Sequence, residues 1–177
     1  MDNKLNIPMI QAIQAAITEE SDSFDMRNWY DDGALFRQEN CGTSLCIGGY
    51  TIHFAITKPE LAKGELDWHY KQHVENVKDD YLKLNHDGSL TAVTAAKILN
   101  LPSDQFDDEE AVELFDANCW PEPFKTEYEK AEYELFDWKV KKRDGQSVDM
   151  AEKQHIFRKE TAQIAIARLQ HLIDFGS

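Results

Sequence analysis

The sequence predicts an all-α fold: an orthogonal bundle of six to seven helices around a buried central helix at about 44–57 and a long C-terminal helix. Three observations predict it. Apolar residues recur at helical spacing in several separate segments. No convincing set of alternating strands is present. Capping residues, prolines and glycine-containing turns punctuate the helical segments. With 177 residues, 42% of them hydrophobic, the chain can bury a core as a single domain, 1–177.

The elements follow in order. Residues 7–20 read as a helix, with Asn6 able to cap it, Pro8 tolerated in its first turn, and Ile10, Ile13 and Ile17 on one face. Residues 21–40 break that period. They read as an irregular segment holding at most one short strand or turn, anchored by Phe24, Met26, Trp29 and Phe36. Thr43 or Ser44 is the expected cap of a helix that ends near Thr57, before Lys58-Pro59. That helix is apolar nearly all round, the mark of a buried element. Gly48 and Gly49 in its first turn cost roughly 1 kcal/mol each relative to Ala, so a backbone or ligand is expected to approach closely there.

Residues 61–85 read as a polar helix whose apolar side is Trp68, Tyr70, Val74, Val77, Tyr81 and Leu84. A turn at 86–88 and a Ser89 cap lead into a small-residue helix that stops before Pro102. Asp107 with Glu110 makes a capping box for a short acidic helix. The Cys119-Trp120-Pro121 loop precedes a helix at 124–142 carrying Phe124, Tyr128, Ala131, Leu135 and Trp138 on one face. The last helix, about 149–175, is the most strongly apolar.

Charge narrows the function. Thirty-three acids against nineteen Lys and Arg leave a net −14, and residues 104–137 hold thirteen acids and two lysines. Such a surface repels phosphate backbones and anionic membranes, so direct binding of nucleic acid or membrane is not expected. No apolar run approaches the roughly 20 residues of a membrane span, no secretory signal pattern is seen, and the three cysteines do not suggest a disulfide framework. The expected setting is cytoplasmic.

The stretch from Gln38 to Ala55, "QENCGTSLCIGGYTIHFA", holds the chemistry-bearing candidates. A thiol at Cys46, in the first turn of a helix, could be a nucleophile with His53 as its base, the centre of a cysteine-dependent hydrolase or transferase. Two turns of helix separate those side chains by about 10 Å along the axis, which argues against a direct hydrogen bond. Cys41, Cys46, His53 and Cys119 are zinc-type ligands, but the C-x4-C spacing is uncommon in zinc sites. His69 and His73, four apart, form a second metal-capable pair; as residues of a polar helix they read as solvated. The residues favour packing, with Cys46 as a small buried hydrophobe. No cofactor is implied.

"FDMRNWYDD" followed by "CGTSLCIGGYTIHFA" resembles a group of small uncharacterised bacterial and phage proteins with an FDM…W…CGTxxCIxG motif. Cys41, Gly42, Thr43, Cys46, Ile47 and Gly49 carry the match, and the similarity covers about half the chain. It implies a phage or mobile-element origin, with 61–88 and 122–148 as peripheral helical additions to a shorter core, and brings no catalytic assignment. The reading is a non-enzymatic protein-binding protein, an inhibitor of a host nucleic-acid-handling complex, acting through an acidic face. Asp107, Asp108, Glu109, Glu110, Glu113 and Asp116 crowd one segment, and Glu127, Glu129, Glu132 and Glu134 follow. The expected partner is a basic protein surface, such as a nucleic-acid-binding groove.

Overall fold

Helix α1, Ile7–Glu19, begins where Asn6 turns its side chain onto the first orphan amides: Oδ1 accepts from the Met9 N–H at 3.4 Å. The computed structural model describes residues 4–21, 24–26, 30–31, 44–62, 66–86, 88–101, 114–115, 117, 120–143 and 149–175. Met9, Ile10, Ile13 and Ile17 form the buried face of α1, each fully excluded from solvent and each contributing about 2 kcal/mol of burial. That face packs on helices α2, Ile47–Thr57, α5, Gly88–Leu99, and α7, Met150–Phe175. Gln14 also donates from Nε2 to the Ile166 carbonyl at 3.2 Å, tying α1 to α7.

The end of α5 needs partners as much as the start of α1. Asn100 takes φ 57°, and the chain closes a Schellman turn: Leu101 N–H donates to Ala96 O and Asn100 N–H to Lys97 O, each at 3.1 Å. The carbonyls of Ile98 and Leu99 are met from α1 instead. Asn6 donates its backbone N–H to Leu99 O at 2.8 Å and its Nδ2 to Ile98 O at 2.9 Å. The second Nδ2 hydrogen reaches Leu61 O at 2.7 Å, in the 3-10 turn Pro59–Leu61 that follows α2. One buried side chain therefore joins the ends of three helical segments. Asn100 answers by donating from Nδ2 to Lys4 O at 2.7 Å.

Helix α2 is the buried centre. Its neighbours on every side are other helices, chiefly α5, with α1 and α3, Trp68–Asp79, completing the enclosure. Ile47, Gly48, Gly49, Tyr50, Thr51, Ile52, Phe54 and Ala55 are all buried. Helix α5, the main neighbour of α2, buries Thr91, Ala92, Thr94, Ala95 and Ala96, so this part of the core is rich in small residues. Gly48 and Gly49 of α2 are themselves buried. The helix starts later than Thr43 or Ser44 would place it. Ser44–Leu45 is extended (β2) and pairs antiparallel with Tyr30–Asp31 (β1), with a further bridge from Leu45 to Phe24. Cys46 is the N-cap, its Sγ accepting from Gly49 N–H at 3.4 Å. Thr43 lies outside the described residues.

The polar helix expected over 61–85 is two helices, α3 and the short α4, Lys83–His86. Asp80 breaks it: it is extended, and its Oδ1 accepts from Leu82 N–H at 3.0 Å, a local turn that competes with the helix ladder. Trp68 is 76% exposed and does not belong to the apolar side, whereas Val77 and Leu84 are fully buried. Helix α5 already includes Gly88, so Ser89 lies inside the helix and not at its cap position, and residue 87 lies outside the described residues. Trp29, Phe36 and the helix expected from the Asp107–Glu110 capping box lie outside the described residues; Leu114 and Phe115, near that helix's end, form a buried turn.

Helix α6, Phe124–Arg143, packs against α7 along Phe124, Tyr128, Ala131 and Leu135, the face its spacing predicts. Edge-to-face rings continue the contact: Trp120 to Tyr128 at 6.0 Å and Tyr128 to Phe157 at 6.2 Å. Trp120 is buried and donates its Nε1–H to Leu114 O at 2.9 Å. Lys153 lies 4.1 Å over the Trp138 ring, a cation–π contact between the two helices. Asp149 caps α7, accepting from the Ala151 and Glu152 amides at 3.0 and 3.1 Å. The seven α-helices among the described residues make an all-α bundle. None of the described helices is long and apolar enough to cross a membrane.

The Asn6 network makes a two-part prediction. Asn6→Ala removes a cap and leaves the Leu61 and Ile98 carbonyls unpaired, so it lowers unfolding free energy by about 2–4 kcal/mol. Asn6→Asp keeps a good capping acceptor but turns a carboxylate toward those two carbonyls. Urea denaturation at pH 7 should therefore show Asp no better than Ala; recovery of wild-type stability by Asp would mean that capping alone is what matters.

Candidate functional site

Cys46 sits where a helix dipole could activate it, but the local structure uses the thiol otherwise. It is 2% exposed, its Sγ is occupied by the Gly49 amide, and burial pushes its pKa up to about 12, against the opposing pull of the Gly49, Gly48 and Cys46 amides. The Asp25 carboxylate adds to the rise. Asp25 is itself 1% exposed. Its N–H donates to Leu45 O at 3.2 Å, and its Oδ2 lies 3.9 Å from Arg158 Nη2 on α7. This buried pair clips the segment before β1 onto the last helix.

His53 is engaged elsewhere than with Cys46. Its Nδ1 and the Tyr81 hydroxyl form a 2.7 Å hydrogen bond, and its ring lies against Phe54 and Tyr81, at 5.6 and 5.9 Å. Burial lowers its pKa below the usual 6.5 and Lys58 lowers it further, while Glu20 opposes both. Neighbouring Tyr50 is pushed up to about 12 by burial and by Glu20. A half-buried imidazole bonded to a phenol and a buried, protonated thiol that caps a helix do not make a nucleophile–base pair. The four zinc-type residues are not brought together by what is described: Cys46 and His53 have these other partners, and Cys41 and Cys119 lie outside the described residues. Among the described residues no cluster of three or more His, Cys, Asp and Glu has metal-binding geometry.

His69 and His73 differ from the solvated pair expected. His73 is 4% exposed, and its Nε2 lies 3.0 Å from Thr91 Oγ1 on α5. The single hydroxyl hydrogen of Thr91 goes to Leu84 O at 3.0 Å, so Nε2 carries the hydrogen and donates to Thr91. The chain of bonds ties α3, α4 and α5 together, a structural role that the polar surroundings of His73 in the sequence conceal.

The acidic candidates divide. Asp107, Asp108, Glu109, Glu110, Glu113 and Asp116 lie outside the described residues. Glu127, Glu129, Glu132 and Glu134 are exposed on α6, but they do not share a face. Glu127 and Glu134 line a groove of about 310 Å³ between α6 and α7, joined there by Glu160 and Gln163 of α7 and by Lys130, over a floor of Ala131, Ile164 and Ala167. Glu129 and Glu132 project on the far side of the helix, beside the exposed Tyr133 and Phe136. Glu160 belongs to the groove without having been singled out by the charge count, because it stands 26 residues beyond Glu134 on another helix.

The chain matches no known protein family, and no curated protein or solved structure matches it significantly.

Two measurements check the interior groups. Iodoacetamide at neutral pH should label Cys46 at least about a hundredfold more slowly in the native protein than in denaturant, read at that residue by mass spectrometry. The His53 pKa is depressed, so the unfolded chain binds its proton first as pH falls. Stability from this residue is full above pH 6.5 and declines below it. In His53→Gln, which keeps an acceptor for Tyr81, the loss of stability between pH 7.5 and pH 5 should be smaller than in the wild type. An equal loss in both would place the acid sensitivity elsewhere.

Proposed function

We propose that the protein is a non-enzymatic binding protein whose acidic surface takes a basic protein partner, of the kind that itself handles nucleic acid. In that role it acts as an inhibitor by occupying the partner's phosphate-binding groove. The single observation that best supports this reading is the α6–α7 groove, where Glu127, Glu134 and Glu160 stand around an apolar floor of small residues. Long Arg or Lys side chains fit such a groove: their methylene stems lie on Ala131, Ile164 and Ala167 while their charged ends meet the carboxylates. The net charge of −14 extends the attraction beyond the groove and speeds encounter with a cationic surface. The resemblance read in the FDM…W…CGTxxCIxG motif favours a host complex as the target.

The test uses an arginine-rich nucleic-acid-binding domain as probe and calorimetry as readout. Affinity should fall by about tenfold or more between roughly 50 and 200 mM salt. Glu127→Gln with Glu134→Gln and Glu160→Gln should weaken binding by a further tenfold or so, and duplex DNA should compete for the probe. A salt-independent affinity, or one untouched by the triple substitution, would remove this reading of the groove.

A further inference from the structure

Helix α6 has a second face. Tyr133, Phe136 and Val140 recur at the i, i+3, i+7 spacing of a helical seam, and they are 70, 61 and 40% exposed. Glu129 and Glu132 continue the stripe toward the N-terminus of the helix, and Lys139 continues it toward the C-terminus, where Arg143 is the last helical residue. The seam is thus apolar in the middle, acidic at one end and basic at the other.

That order of charge selects its partner. A parallel copy would set acid against acid and base against base. An antiparallel copy, related by a two-fold axis beside Phe136, sets position 129 opposite 143, 132 opposite 140 and 133 opposite 139. Glu132 then lies one residue from Lys139 of the second copy, opposite charges come together at both ends, and the two Phe136 rings meet at the axis. The recess of about 450 Å³ bounded by Glu129, Glu132, Tyr133 and Phe136 gives the opposing ring a place to lie. Among the described residues Glu129 makes an exposed contact with Lys125 at 3.9 Å, a pair too weak to hold it from a new partner.

We propose that this seam is an isologous homodimer interface, with α6 pairing antiparallel to α6 of a second copy of the chain. The contact is one helix pair, so the dimer is of micromolar or weaker affinity. It lies on the opposite side of α6 from the Glu127–Glu134 groove, which stays open in the dimer.

Sedimentation velocity of the full chain, from about 1 to 500 μM at low salt, should show a monomer–dimer equilibrium. Glu129→Lys with Glu132→Lys makes the seam uniformly basic, and Lys139→Glu with Arg143→Glu makes it uniformly acidic. Each double variant should be monomeric alone, with Kd raised at least about tenfold, and their equimolar mixture should form a heterodimer. Phe136→Glu, an exposed substitution that leaves the core untouched, should also be monomeric. The proposal is overturned if the wild type stays monomeric throughout, if both double variants dimerise like the wild type, or if the mixture fails to associate. Capture of a foreign helix by a wild-type chain that never self-associates would assign the seam to another partner and equally defeat it.

Discussion

A buried asparagine holds the bundle's geometry. Asn6 spends both hydrogens of its amide, its side-chain oxygen and its backbone N–H on groups from α1, α5 and the turn after α2. Every helix end carries backbone groups that the ladder cannot satisfy, and burial makes them expensive. Here the start of one helix meets the end of another, and a residue with both donor and acceptor capacity serves the two at once. The apolar contacts among α1, α2 and α5 fix how far apart these helices sit. The Asn6 bonds fix their register, because a displacement along any axis breaks a buried hydrogen bond.

The stretch around Cys46 becomes intelligible within that frame. A helix buried from its first turn leaves little room for side chains there, which suits Gly48 and Gly49, both buried. A thiol at its start supplies a weak capping acceptor without bringing a strongly hydrated hydroxyl into an apolar region. The same burial that makes Cys46 a tolerable cap deprives it of reactivity, because the cost of removing a thiolate from water outweighs the pull of the nearby amides. Packing and chemistry thus make opposite demands on this position, and the surroundings of Cys46 satisfy packing.

Much of the bundle was legible from residue order because its signals are local. The spacing of Ile10, Ile13 and Ile17 after Asn6 locates α1 and its cap, and the Phe124-to-Leu135 repeat locates α6 with the face it buries. What stayed hidden depends on partners distant in sequence. The start of α2 is set by Leu45 pairing with Tyr30, which leaves Cys46, not a neighbouring Thr or Ser, at the cap. His73 looks solvated because the helix as a whole is polar; its bonding partner Thr91 is 18 residues away. The four glutamates of α6 look like one block by count, yet positions two apart on a helix diverge by about 200°. Glu127 and Glu129 therefore face different surroundings. The outer stripe of Tyr133, Phe136 and Val140 obeys the same period as the inner one, and was overlooked because one apolar face already accounted for the helix.

The Asp25–Arg158 clip and the α1–α7 contact join the beginning of the described chain to its last helix. This has a consequence for biosynthesis. As the polypeptide leaves the ribosome, α1 and the segment around Asp25 emerge long before the surface that covers them exists. Four isoleucine-class side chains and a carboxylate must wait, hydrated or held by a chaperone, until α7 has been translated. Completion of the core therefore waits for α7, and a nascent chain stalled within α6 would leave the α7-facing part of α1 uncovered.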